Sequence, residues 1–148
     1  DILRYQWEEV AIPMWRDIVR MAADCGIEKI ALENHGMQLV YNPETCLRLR
    51  EAVGSDLIGM NLDPSHLFWM IGPNGVLDTK GIDDFAKRSW NYVAVGAGHG
   101  VQWWQEFFSV VRMCGYDDVV ALEMEDLTMS MLDGHSASLR ALREALVL

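Results

Sequence analysis

Hydrophobic positions along this chain follow two rhythms, a three-to-four-residue period in some stretches and short unbroken apolar runs in others. From Trp7 to Cys25 the residues Met14, Ile18, Met21, Ala22 and Cys25 fall at helical spacing. Pro13 suits a first-turn position, so the main helix is predicted to start near it, and Gly26 to end it as a left-handed cap. Lys29-Ile-Ala-Leu-Glu33 predicts a short strand at about 28–33. Asn42-Pro43-Glu44 reads as the cap and first turn of a helix carrying Leu47, Leu49, Ala52 and Val53, closed by Gly54. A second strand follows at about 57–62, broken by Asp63-Pro64. Residues 71–100 carry turn chemistry: Gly72-Pro-Asn-Gly75, Asp83 and Asp84 at a short helical turn, and the loop Gly96-Ala-Gly98-His99-Gly100. Val101, Trp104, Phe107, Phe108 and Val111 then mark an amphipathic helix ended by Gly115. A third strand is expected at about 118–123, and Ser136 is expected to cap a last helix with Leu139, Leu142 and Leu146 on one face. The order α-β-α-β-loop-α-β-α, without repeat or linker, implies a parallel sheet with covering helices.

Each of the three strands ends on an acid: Glu33, Asp63 and Glu123. Continuous apolar runs mark strands buried on both faces, and parallel α/β folds place their active sites at the carboxyl ends of such strands. One strand-end acid is commonly just a cap for the following helix. Three of them, two with a histidine close behind, suggest oxygen and nitrogen ligands converging on a metal.

Composition narrows the partners. The chain has 148 residues and 51% hydrophobic content, with six Trp and nine Met, which are expected to fill the core. No apolar run approaches the roughly 20 residues that span a bilayer, so no membrane is expected. Net charge is −10, from 22 acidic and 12 basic residues, and only three are Lys. Such a field repels nucleic acid. Cys25, Cys46 and Cys114 lie far apart without a CxxC pair and read as buried, reduced thiols of a cytoplasmic protein. The first residue is Asp1 rather than Met, as expected of a processed end or of a piece of a longer protein.

Five blocks occur in a telling order: Ala31-Leu-Glu-Asn-His35, Asn61-Leu-Asp-Pro-Ser-His66, Gly96 to His99 before Trp103-Trp104, Gly115-Tyr116, and Leu122-Glu-Met-Glu-Asp126. Together they resemble the sugar phosphate isomerase/epimerase family, xylose-isomerase-like TIM barrels whose superfamily also holds endonuclease IV-type repair enzymes. The resemblance covers essentially the whole chain, and Asn-Leu-Asp-Pro-Ser-His is its most specific element. It implies the C-terminal part of one (β/α)8 barrel domain over residues 1–148, with strands five, six and eight present and strands one to four and seven absent. A full barrel takes roughly 250 residues, about 30 per β/α unit. About one unit is therefore expected to be missing between Met70 and Ile71, including a seventh-strand histidine that ligates metal in the family.

The resemblance also implies roles. Glu33, Asp63 and Glu123 would hold a divalent Mn, Mg, Co or Zn ion, Glu33 and Glu123 would in addition act as acid and base, and Asp63 would be a pure ligand. His66 would contact a substrate oxygen, with His35 and Trp69 lining the substrate pocket. The expected reaction is isomerisation or epimerisation of a sugar, sugar acid or cyclitol, through proton removal next to a metal-polarised carbonyl. A homo-oligomer is compatible with unpaired sheet edges. Two alternatives stand beside it: an endonuclease IV-like zinc phosphodiesterase, which calls for more histidines than the four present, and a non-catalytic relic with an incomplete metal site. Against the metal roles stand plainer ones. His35 could instead satisfy a loop carbonyl, His99 could pin its loop, His135 could be solvated ahead of the last helix, and Glu125 and Asp126 could be caps.

Overall fold

The computed structural model describes residues 1–69 and 91–146, in two units, Asp1–Phe85 and Ala86–Leu148. The expected break between Met70 and Ile71, the Gly72–Gly75 turn and the helical turn at Asp83 and Asp84 lie outside the described residues.

The first unit opens on helix rather than on a lead-in to Pro13. α1 (Ile2–Tyr5) runs through a π-helical segment (Gln6–Ala11) into α2 (Ile12–Asp24). A π segment holds one extra residue per turn. Helical spacing counted back from Pro13 therefore slips out of phase, and the sequence reading starts the helix too late. Trp7, in that segment, is 2% exposed and packs with Val40, Cys46, Leu49 and Ile58. Arg48 sits over its ring at 4.3 Å, a cation–π contact.

β1 (Ile30–Glu33), α3 (Pro43–Val53) and β2 (Ile58–Asn61) follow as the sequence predicts. Asn42 caps α3 reciprocally: its Oδ1 accepts the Thr45 N–H at 2.9 Å, and Thr45 Oγ1 accepts the Asn42 N–H at 3.1 Å. Gly54 closes the helix with φ +75°, a conformation that costs glycine nothing. β1 and β2 pair in parallel, Ile30 opposite Ile58 and Glu33 opposite Asn61. Each strand thus ends beside the other, and α4 (Pro64–Trp69) starts directly beyond β2.

In the second unit α5 (Val101–Met113) packs on α6 (Met131–Leu146) through Phe108, Leu142 and Ala145, with Val95, Trp104, Phe107 and Leu122 around them. Trp103 stacks on Phe107 at 5.5 Å, and Trp104 meets the same ring edge-on. His99 lies 4.7 Å from the Trp103 ring, which ties its loop to α5.

Four expectations are corrected here. No strand is paired at 118–123 among the described residues. The Val119 backbone is used locally instead: Asp118 Oδ1 accepts its N–H at 2.8 Å, and the Tyr116 hydroxyl donates to its carbonyl at 2.7 Å. Beyond it Leu122, Met124 and Asp126 turn inward while Ala121, Glu123 and Glu125 are exposed, the alternation of a strand without its ladder. The last helix begins at Met131, five residues before Ser136. Ser130 Oγ accepts the Asp133 N–H at 3.1 Å and caps it, which puts His135 inside the helix with Nδ1 2.8 Å from the Met131 carbonyl. Cys25 and Cys114 are exposed, because both sit at helix C-caps, and only Cys46 is buried. Most described methionines are likewise exposed, with Met124 the buried one. The three-strand α/β expectation is thus met by an α/β arrangement with two parallel strands. No helix among the described residues is long and apolar enough to cross a membrane.

Candidate metal centre

The parallel register brings two acids together. Glu33 is the last residue of β1, opposite Asn61, and Asp63 lies two residues past Asn61, on the same side by the two-residue alternation of a strand. Pro64 lacks an N–H and pre-sets the backbone for helix, so the chain turns into α4 there. Asp63 becomes the cap of that helix, its Oδ1 accepting the Ser65 N–H at 2.8 Å. His66, three residues on, falls on the same helix face as Asp63.

Glu33, Asp63 and His66 each offer a donor atom, all within 4.8 Å of one another. His66 Nε2 lies 3.4 Å from Glu33 Oε1 and 3.5 Å from Asp63 Oδ2. These are ion-pair distances, longer than the about 2.7–2.9 Å of a short charge-assisted hydrogen bond. They are also compatible with ligands around a cation. With metal–ligand bonds of about 2.1 Å, neighbouring ligands in an octahedron lie about 3.0 Å apart and opposite ones about 4.2 Å. The donor set, two carboxylates and an imidazole without a thiolate, fits a borderline-hard divalent ion. Burial grades across the site, with side-chain exposures of 42% at Glu33, 27% at Asp63 and 9% at His66. The open end is therefore at Glu33.

The surroundings sort the remaining candidates. The His35 ring lies 4.4 Å from that of His66, and its Nδ1 is 2.8 Å from the Gly36 carbonyl, so it satisfies a loop carbonyl beside the site. Trp69 closes α4, and its side chain lies outside the described residues. Glu123 belongs to the second unit, exposed on its unpaired extended segment. Asp126 is a cap: it accepts the Ala94 N–H at 3.0 Å, the Thr128 N–H at 2.8 Å and the Thr128 hydroxyl. Those bonds, the Thr128 hydroxyl first, hold its carboxyl below the usual range. Sequence reasoning assigned His66 to substrate rather than to the ligand group. The i, i+3 spacing from Asp63 across a Pro-opened helix was the available signal.

The chain is 51% identical to a Bacillus subtilis (strain 168) protein described as uncharacterized protein YfiH, over 99% of this chain and 56% of that protein. The chain thus spans about half the length of that relative. The match runs over 175 residues against 148 here, so at least 27 positions (175 less 148) have no counterpart in this chain. No solved structure matches it. The family model for the xylose isomerase-like TIM barrel matches residues 4–145, and the chain accordingly belongs to the xylose isomerase-like TIM barrel family.

Proposed function

We propose that this chain carries the metal site of an isomerase or epimerase acting on a sugar, sugar acid or cyclitol. The observation that supports it is the grouping of Glu33, Asp63 and His66 donors within 4.8 Å at the carboxyl ends of two parallel strands. In this reading β1 and β2 are the fifth and sixth strands of a (β/α)8 barrel, and 118–123 is the eighth. The residues without counterpart in the relative's matched stretch, at least 27, agree with the unit of about 30 expected between Met70 and Ile71. The family also includes endonuclease IV-like enzymes, but four histidines and a net charge of −10 suit a small carbohydrate better than a phosphate backbone. In this reading the protein works in the cytoplasm, and a homo-oligomer would cover its unpaired sheet edges.

Glu33, Asp63 and His66 would hold a Mn, Mg, Co or Zn ion, with Glu123 completing the set by resemblance. When bound, the ion supplies Lewis acidity to a substrate carbonyl and a grip on adjacent hydroxyl oxygens. Asp63, with one oxygen engaged by Ser65, is suited to holding rather than to proton transfer. Glu33, the most exposed of the three, can take the proton from the carbon next to the carbonyl. Glu123 would return a proton on the opposite face or to the neighbouring carbon. His35 packs on the His66 ring beside the site, and by resemblance His35 and Trp69 would serve the substrate.

Proton exchange tests this reading without knowing the product. The full chain is incubated with Mn2+ in D2O and a panel of ketoses, sugar acids and cyclitol ketones, and the proton beside each carbonyl is followed by NMR. Deuterium incorporation that requires both Glu33 and Glu123 is expected. A chain that binds Mn2+ yet exchanges none of the panel would overturn the assignment.

A further inference from the structure

Asn34 is fully buried, yet it takes no part in the β1–β2 ladder, which ends one residue earlier at Glu33. Its side chain reaches across to the other strand's end. Asn34 Oδ1 accepts the Asp63 N–H at 2.8 Å, and Asn34 Nδ2 donates to the Asp63 carbonyl at 2.9 Å. One amide therefore satisfies both backbone polar groups of Asp63, as a paired strand residue would. The chain turns into α4 at Pro64, directly after this contact. Asn34 is also joined by a peptide bond to Glu33. A single residue thus ties the carboxylate at the end of β1 to the one at the end of β2.

We propose that Asn34 is a positioning residue that sets the Glu33–Asp63 separation for the cation. The role rests on the metal reading given above. A buried amide with both ends engaged cannot rotate without orphaning the Asp63 N–H and carbonyl, so the clamp is stiff. Stiffness at that point matters for binding, since partners that orient metal ligands typically change affinity 10–100-fold when removed. Among the described residues neither carboxylate hydrogen-bonds the Asn34 side chain, so its effect passes through the Asp63 backbone.

The test compares Mn2+ affinity, read from the free-ion EPR signal, in the wild-type chain and in Asn34→Ala and Asn34→Leu. Leucine keeps the branched shape of asparagine and removes both hydrogen bonds. Asn42→Ala serves as a control that loosens α3 in the same unit without touching a ligand. The Kd is expected to weaken about 10–100-fold in both Asn34 variants and to stay within about twofold in Asn42→Ala. Hydrogen exchange on the wild type supplies a reading that needs no variant to fold, and the Asp63 amide is expected to be protected. Unchanged affinity in a folded Asn34 variant, or an Asp63 amide exchanging as fast as an exposed loop, overturns the positioning role and leaves the metal reading standing. A wild-type chain that takes up no Mn2+ sinks the metal reading itself, and this role with it.

Discussion

Asp63 holds two jobs that a pair of substitutions separates. Its Oδ1 caps α4 through the Ser65 N–H at 2.8 Å, and its Oδ2 faces His66 Nε2 at 3.5 Å. Asn and Asp rank together as N-caps, so Asp63→Asn keeps the cap and removes the charge. Its metal-free stability should stay within about 0.5 kcal/mol of wild type. Asp63→Ala removes the acceptor as well, which typically costs about 1 kcal/mol, or a fall in Tm of about 2–4 °C for a chain of this size. Mn2+ at a hundred times its Kd should stabilise the wild type by about 2.7 kcal/mol. A lost ligand should weaken affinity more than the 10–100-fold typical of an outer partner. Thermal melts with and without Mn2+ read both effects. Both variants are expected to lose the metal-induced rise, and only the alanine variant to start from a lower metal-free Tm. Equal metal-free melting of the two variants would refute the cap argument, and a full metal-induced rise in either would refute Asp63 as a ligand.

Three further outcomes follow from the geometry. The Asp126 carboxyl is held below its ordinary range by bonds from Thr128 and Ala94, so its contribution is full above about pH 3.9 and is lost as pH falls through the folded-state value. Asp126→Asn should therefore flatten the acid limb of a stability-versus-pH curve measured by denaturant titration; an unchanged limb would count against this role. Gly96 has φ +92°, and a Cβ there would lie 2.7 Å from Ala141 Cβ. Gly96→Ala should cost about 2–4 kcal/mol in urea unfolding, and a neutral result would mean that the loop sits differently on α6. Burial raises the Cys46 thiol while Cys25 and Cys114 are exposed. A thiol reagent at mildly alkaline pH should label two cysteines quickly and the third only after unfolding, whereas three equal rates would contradict the first unit's core.

The elements whose signals are local were legible in the sequence. Asn42-Pro43 fixed the start of α3 and Gly54 its end, and the unbroken runs before Glu33 and Asp63 marked the two strands that pair. What escaped depends on partners or on phase. The π segment shifts the helical count before Pro13, and the 118–123 stretch has strand alternation but no neighbour to complete its ladder. Ser136 looked like a cap, yet Ser130, six residues earlier, has the Asp133 N–H within reach and caps the helix. At the site, spacing identified Glu33 and Asp63, and the structure brings them together. The sequence tied His66 to Asp63 only through their i, i+3 spacing, and it did not reveal that Asn34 bridges the strand ends, because that contact needs the parallel register that aligns Glu33 with Asn61.

Calorimetric titration of the metal-free chain with Mn2+ bears most directly on the central claim, that Glu33, Asp63 and His66 jointly grip one cation. One site per chain is predicted for the wild type, lost or severely weakened in each of Glu33→Gln, Asp63→Asn and His66→Ala. Wild-type heats indistinguishable from dilution, or three variants that bind as the wild type does, would contradict it.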